Sequence, residues 1–436
     1  MPICHTPPSL ARPARALIGL GAWCLLVGAA SAQQPASPQP TSPQPSAQAP
    51  KSRQPSAPTS ASPQPGAVDY QLSSEVAGYG DTDSVFVLTP SLALAARAPA
   101  SGWGATASYL VDVVSAASVD IVSTASPRWT EVRQAGALSA DYKPGAMGAT
   151  LGGSVSREPD YVSWYLGGAF RMETMDKRFT PLIGYSYSRD TAGRTGTPFD
   201  VYALRLQRHS LQLGAEIIVN PATRVSLAAE AVLEAGRQEK PYRYLPVFAA
   251  DVVGSVPRAA AVDVVNSLRL PGRMAERTPD TRQRYSVTSE ISWRQSGGDE
   301  LSATLRVAER LYTDSWGLLA STTDARFIMG LGGGFRLWPH LRAHAQSGVS
   351  FWERAYVAQP GSGEIRFPSL RTGDRELGPL FTGSFGFGAQ YATQPGINSS
   401  WLFTALADVG RTSYLDALFT DQRTSLFVSL MAGHSL

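Results

Sequence analysis

From residue 67 to the end the chain alternates apolar and polar side chains with a period of two, and nothing there reaches the roughly 18 consecutive apolar residues of a membrane helix. Successive side chains of an extended chain point to opposite faces, so this pattern calls for strands with one greasy and one polar face. In Tyr285–Arg294 the odd positions are Tyr285, Val287, Ser289, Ile291 and Trp293, and the even ones are Ser286, Thr288, Glu290, Ser292 and Arg294. The same design recurs in Phe381–Tyr391, Leu341–Phe351, Val225–Leu233 and Tyr161–Met172. A soluble β-sandwich also alternates, since one face meets a core and the other water. Three features favour a barrel that crosses a bilayer. The segments run to ten residues or more, beyond the usual five to six of soluble sheets. Aromatic residues sit near both ends of the apolar face, as Tyr285 and Trp293 do. The connections alternate between short and long.

Strands are expected at 68–79, 84–97, 103–113, 131–143, 146–157, 161–173, 178–189, 203–217, 222–235, 283–295, 299–313, 323–337, 340–353, 378–392, 399–411 and 424–436. The predicted fold is all-β: a transmembrane, antiparallel, up-and-down β-barrel of about 16 strands spanning residues 67–436. Even-numbered connections are short, among them Pro144-Gly145, Ile218–Pro221 and Pro339 with its flanks. Most odd-numbered ones are long: Val114–Thr130, Asp190–Tyr202, Gly236–Arg282, Tyr312–Thr322, Arg354–Leu377 and Arg411–Arg423. Gly80–Asp83 and Glu158–Asp160 are short exceptions.

Residues 1–32 carry Arg12 and Arg15, then the apolar run Ala16–Ala30, then Ala30-Ser31-Ala32, the order of an export signal with cleavage between Ala32 and Gln33. Residues 33–66, rich in Pro, Gln, Ser and Ala, hold no aromatic or branched aliphatic residue and so cannot bury a core; they predict a disordered linker. Both cysteines, Cys4 and Cys24, lie in the export signal, which excludes a disulfide framework or a thiolate metal site downstream. Of the 38 basic residues two fall in that signal, leaving 36 against 35 acidic ones, so there is no electrostatic case for nucleic acid.

The run Tyr109–Arg133, the stretches Tyr242-Arg243-Tyr244 and Glu276–Arg282, the segments Glu309–Gly317 and Leu341–Trp352, and Arg371–Leu377 resemble the outer-membrane family called domain of unknown function 3570, over most of residues 67–436. The resemblance implies an exported bacterial barrel in the outer membrane of a Gram-negative cell, with the N-terminal tail in the periplasm. Its implied partners are outer-membrane lipid and the barrel-insertion machinery. It carries no catalytic residues. Outer-membrane barrels commonly end in an aromatic residue; here the closing face reads Leu426, Val428, Leu430, Ala432, His434 and Leu436.

A barrel of about 16 strands is too wide for its own side chains to fill, so the inward face decides function. It offers Glu230, Glu234, Glu290, Arg294, Arg306, Arg310, Arg342, His344 and Gln346. The mixed signs argue against a pore lined by a ring of one charge. They equally suit acidic and basic residues that pair merely to solvate and stiffen the wall. The repeated Val-Asp-Val segments around Asp112, Asp120, Asp251 and Asp263 are too valine-rich for slack loops. Loops Val114–Thr130 and Gly236–Arg282 are therefore expected to fold inward, or to pair with each other, as a plug. The four aspartates lack calcium-loop spacing, and no cofactor or metal is expected.

Enzymatic readings fare poorly. His209-Ser210 would have to act as base and nucleophile, but adjacent strand residues face opposite ways. Gly330–Gly334 lacks the Lys-Ser/Thr of a phosphate loop, and its glycines are expected to face a crowded lumen or to bend a strand. The expected role is passage or binding of a small solute through the lumen. The alternative is a closed docking barrel that presents its loops, or its proline-rich tail, to a periplasmic partner; a lipid-modifying barrel enzyme ranks behind both.

Overall fold

The computed structural model describes residues 68–116, 129–296, 301–360, 365–393 and 400–435. Ala32, Gln33, the linker, Asp120 and Leu436 lie outside the described residues. Sixteen strands close into one barrel in chain order. They are β1 (Asp69–Asp81), β2 (Phe86–Ala98), β3 (Trp103–Ala116), β4 (Trp129–Tyr142), β5 (Met147–Glu158), β6 (Tyr161–Met172), β7 (Phe179–Ala192) and β8 (Leu204–Asn220). There follow β9 (Thr223–Gly236), β12 (Thr281–Ser296), β13 (Ser302–Asp314), β14 (Leu319–Gly332), β15 (Phe335–Gln346), β18 (Leu380–Ala392), β19 (Ser400–Tyr414) and β20 (Gln422–Ser435). Strand β1 pairs antiparallel with β20 from Gln71↔Ser435 to Asp81↔Ser425, which removes every free edge.

The alternation sorts the side chains as a membrane barrel requires. On β12, Tyr285, Val287 and Trp293 are exposed on the outside, while Arg282, Arg284, Ser286 and Thr288 are buried within. Outward aromatics gather toward the short-turn end, with Tyr70, Trp103, Tyr142, Trp293, Phe335 and Trp401 all exposed. Among the described residues no helix is long and apolar enough to cross a membrane.

Two predicted boundaries are corrected. Pro339 does not mark a turn; it sits within β15, paired with Phe387. The turn is Gly333-Gly334, with φ of 56° and 86°, so the glycine run reverses the chain instead of bending a strand. A two-residue hairpin loop of this twist needs positive φ at both positions, which glycine supplies without a Cβ clash. As a consequence Val349 and Phe351 leave the strand and lie in the loop that follows. The predicted long loop Tyr312–Thr322 is also a tight turn, because Asp314 Oδ1 accepts the backbone N–H groups of Trp316 (2.9 Å) and Leu318 (3.1 Å).

The long loops carry structure of their own. Between β9 and β12 lie β10 (Tyr244–Ala249), the helix α1 (Val262–Leu268) and β11 (Arg273–Ala275); between β15 and β18 lie β16 (Tyr356–Pro360) and β17 (Ile365–Arg366). They form a second sheet in the order β11-β10-β16-β17, in which β10 and β16 run parallel. The partner of loop Gly236–Arg282 is thus the β15–β18 loop. The Val262-Asp263-Val264-Val265 stretch of loop Gly236–Arg282 is helical, against the strand preference of valine. Val265 explains the override: it is buried against Phe248, Val256 and Ala260, and the helix puts it there. The principal apolar clusters lie here, under and within the loops, because the strands spend their apolar face on the outside and their polar face on the lumen.

Candidate functional site: a roofed lumen

The inner wall is laced by ion pairs between neighbouring strands. Glu290 on β12 meets Arg306 of β13 (3.2 Å) and Arg224 of β9 (3.6 Å). Glu230 on β9 accepts a hydrogen bond from Ser210 of β8 (3.0 Å) and faces Arg310 of β13 (3.9 Å). Toward the long-loop end, Glu234 is held by Arg208 and Arg284, each at 3.1 Å, and Arg208 also pairs with Asp190. Arg282 donates to Asp314 (2.8 Å) and lies over the Trp316 ring at 4.2 Å. His340 bridges Asp324 (2.8 Å) and Asp408 (2.9 Å), the second across Gly386, whose missing side chain leaves room for the carboxylate. A lattice of this kind stiffens the wall, and its shorter pairs exchange solvation for a charged hydrogen bond.

Exposure divides the lumen in two. Toward the short-turn end Glu216, Arg224 and Arg326 are 51%, 41% and 40% exposed, although all three point inward. Arg342, at mid-height on β15 and inward by its alternation with His340 and His344, is exposed and makes no ion pair among the described residues. Arg294 shares the inner face and is exposed close to the short-turn end. At the other end Arg282, Arg284 and Glu234 are 5% exposed or less. The lower lumen is therefore wet and the upper lumen covered.

The cover is the second sheet with its loops. It is anchored around the rim: Arg375 pairs with Asp83 in the β1–β2 turn, and Tyr242 bonds Asp160 in the β5–β6 turn. Ala259 and Ala260 donate to Ala417 and Leu418 in the β19–β20 loop, and Arg354 pairs with Asp416 there. Since the two long loops leave the rim after β9 and β15 yet reach the turns after β1, β5 and β19, they bridge the mouth. Gln346 faces inward but is buried, and its amide donates to the carbonyls of Glu376 (2.7 Å) and Gly378 (2.8 Å), tying wall to roof. His344 bonds Thr322 (2.7 Å) and Gln346 (3.2 Å) just beneath.

A buried charge cluster holds the roof together. The Arg243 guanidinium donates to Asp374 at 2.8 Å and to Glu276 at 3.4 Å, and Thr372 donates to Glu276 at 2.6 Å. The Glu276 and Asp374 side chains are 2% and 0% exposed. Burial, reinforced by Glu276 and Glu376 nearby and opposed by Arg243, pushes the Asp374 carboxyl up to about 6. Next to it, Glu376 accepts from Tyr414 (2.5 Å) and pairs with Arg423 (3.0 Å).

The aspartates singled out by their valine-rich surroundings do not converge. Asp112 belongs to the wall, on β3, where it is fully buried between Thr89 (2.5 Å) and Arg133 (2.6 Å). Asp251 and Asp263 are exposed on the roof. The carboxylates that do gather are Glu131, Glu158 and Asp160, within 4.8 Å of one another. His209 and Ser210 point to opposite faces: His209 packs outside against Tyr185 (2.7 Å, Nδ1 to hydroxyl) and Tyr187, and Ser210 bonds Glu230 inside. The roof residues Arg243, Glu276 and Asp374 were not among the expected site residues, although each lies in a stretch that carried the family resemblance.

No curated protein sequence matches the chain. Its fold is similar to that of several solved outer-membrane barrels, all remote in sequence. A bacterial polysaccharide outer membrane secretin is 8% identical, with 85% of this chain and 98% of that chain covered at a TM-score of 0.42. OccK7 (OpdD) of Pseudomonas aeruginosa is 10% identical, with 85% and 98% covered at 0.37. The siderophore receptor PirA from Acinetobacter baumannii is 8% identical, with 79% of this chain and 53% of that chain covered at 0.38. The model of a family described as a protein of unknown function, DUF3570, matches residues 205–405. The match takes in Arg243, Glu276 and Asp374 but leaves out Tyr109–Arg133, so it is narrower than the resemblance read from sequence. The strands from β8 into β19, with the roof they carry, are thus the part of the chain that is similar to the family DUF3570.

Proposed function

We propose that the protein is an outer-membrane channel, its N-terminal tail in the periplasm, that admits a small polar solute to a lumen roofed at the long-loop end. The observation that carries this reading is the exposure gradient along the inner face: an exposed Arg342 at mid-height, with no ion pair among the described residues, above exposed Glu216 and Arg224 and below the buried Arg284–Glu234 pair near the roof. Water fills the lower lumen, and the roof is the barrier a solute must pass. Mixed wall charges favour a small polar or zwitterionic solute over a selective ion pore. Liposome swelling tests this: vesicles carrying the full chain should admit small sugars or amino acids faster than empty vesicles, and faster still with Ala249–Leu268 deleted. Equal rates for all three would overturn the reading.

The tight lacing of the roof favours one other reading, a closed docking barrel that presents Asp251, Asp263 and their neighbours to a partner. It predicts no swelling and co-purification of one protein after mild solubilisation, lost when Ala249–Leu268 is removed. A hydrolytic role for His209 and Ser210 has no support in their geometry, and a Ser210→Ala variant should behave as wild type in lipid-hydrolysis assays.

A further inference from the structure

The outer face of a membrane barrel should be apolar, yet β5, β7 and β8 carry Arg157, Arg189 and Arg205 on it. The register aligns them. Arg157 pairs with Val162, Val162 with Thr191 and Thr191 with Arg205, so Arg157 and Arg205 share one rung, three strand spacings or about 14 Å apart. Arg189 lies one outward position nearer the membrane centre and is the diagonal neighbour of Arg205, about 7–8 Å away. Among the described residues none of the three makes an ion pair. The outward arginine of β19, Arg411, by contrast, donates to Gln422. All three stand near the long-loop end, at the depth where an arginine facing lipid costs little and can reach headgroups.

Directly beside them the wall is dented. The rung of Arg189 reads Tyr109, Gly136, Val155, Trp164, Arg189 and Gln207 from β3 to β8. The first four of these border an outward groove of about 740 Å³, which continues past Leu138 and Gly153 toward the membrane centre. Glycine makes the floor: a Cβ at Gly136 would meet only the Ser108 carbonyl, at 3.9 Å. Cations at interface depth thus lead without a break into an apolar trough wide enough for an acyl chain.

We propose that this face binds one phosphorylated anionic lipid, with its phosphate groups on Arg157, Arg189 and Arg205 and an acyl chain along the groove. The register brings Arg189 and Arg205 close enough to share one phosphate, with Arg157 flanking it two strands from Arg189. The inference rests on the outer face being lipid-facing and is independent of whether the lumen conducts.

The test is native mass spectrometry of the full chain in detergent, titrated with dioleoyl phosphatidic acid and, separately, with dioleoyl phosphatidylcholine. The acidic lipid should be retained at one per chain and bind at least tenfold more tightly than the zwitterionic one. Arg157→Gln/Arg189→Gln/Arg205→Gln should abolish that preference, the corresponding lysine variant should recover most of it, and Arg411→Gln should leave it intact. Gly136→Leu, which fills the groove while keeping the arginines, should weaken binding about tenfold. Millimolar inorganic phosphate should not displace the lipid. Equal retention of both lipids, indifference to the triple variant, or displacement by free phosphate would each overturn the proposal. Lipid preference without liposome swelling would sink the channel reading alone.

Discussion

Replacing Arg243 by alanine should unlatch the roof while leaving the barrel intact. The guanidinium serves two buried carboxylates, Asp374 at 2.8 Å and Glu276 at 3.4 Å. Breaking a buried pair by removing one partner costs about 3–5 kcal/mol, since the charge left behind is uncompensated. Asp374 limits its own share. Its carboxyl already sits at about 6, so at pH 7 it escapes the loss of Arg243 by taking up a proton, for about 1 kcal/mol. Glu276 and the space left by the guanidinium account for the remainder. The cost falls on the loops alone, because each barrel strand keeps its full ladder with both neighbours. A shift of about 3–5 kcal/mol raises the open population roughly 10²- to 10³-fold or somewhat more. Hydrogen exchange read by mass spectrometry should show that loss of protection in residues 236–281 and 346–380, with β12 and β20 unchanged. Arg258→Ala, which removes one exposed bond to the Leu415 carbonyl, should have little effect. Unchanged loop protection in Arg243→Ala would refute the claim that this cluster holds the roof, and loss of protection throughout the strands would refute its local character.

Closure should depend on pH with a defined sign. In the closed roof Asp374 titrates near 6 and in an opened one near the ordinary 3.9, so the closed form retains a proton that the open form releases between those values, and closure is favoured as pH falls from 6 to 4. Channel open time should drop over that window, and Asp374→Asn should flatten the response; open time that rises with acid contradicts it. Arg342→Glu puts a negative charge where an exposed positive one faces water, so the reversal potential in a tenfold KCl gradient should move toward the cation value, and no movement would mean that ions do not pass Arg342. At the β14–β15 turn, Gly333→Val forces a branched residue to φ of 56° and should lower unfolding stability in urea by about 1–2 kcal/mol, while Gly333→Asn should cost much less. Equal stabilities would show that the turn does not need positive φ.

The barrel was legible because a membrane wall states its geometry in every second residue. Each of the sixteen expected strands overlaps a real one, and Tyr285, Val287 and Trp293 face outward as the alternation requires. The errors fall where a local signal competed with that period. Pro339 read as a turn because proline can donate no N–H to a ladder, yet it lies inside β15 opposite Phe387, and Gly333-Gly334 are the true reversal. The wall residues Glu230, Glu290, Arg306 and Arg310 lie on the same face as one another because parity alone decides that. Their partners, Arg224 and Ser210, follow from register, which sequence does not set. The roof was out of reach for a different reason. Arg243 and Asp374 are separated by 131 positions, and no periodicity links them. The stretches bearing the family resemblance were the available signal, and three of them, around Arg243, Glu276 and Asp374, turn out to hold the roof's charged contacts.

The central claim is a hydrated lumen under a removable roof, and single-channel conductance in a planar bilayer addresses it directly. Wild-type protein should show a low or intermittently open level, and the Ala249–Leu268 deletion a steady and larger one, with a heat-denatured control silent. Conductance that is the same with and without the roof, or silence from a folded deletion variant, would contradict the account.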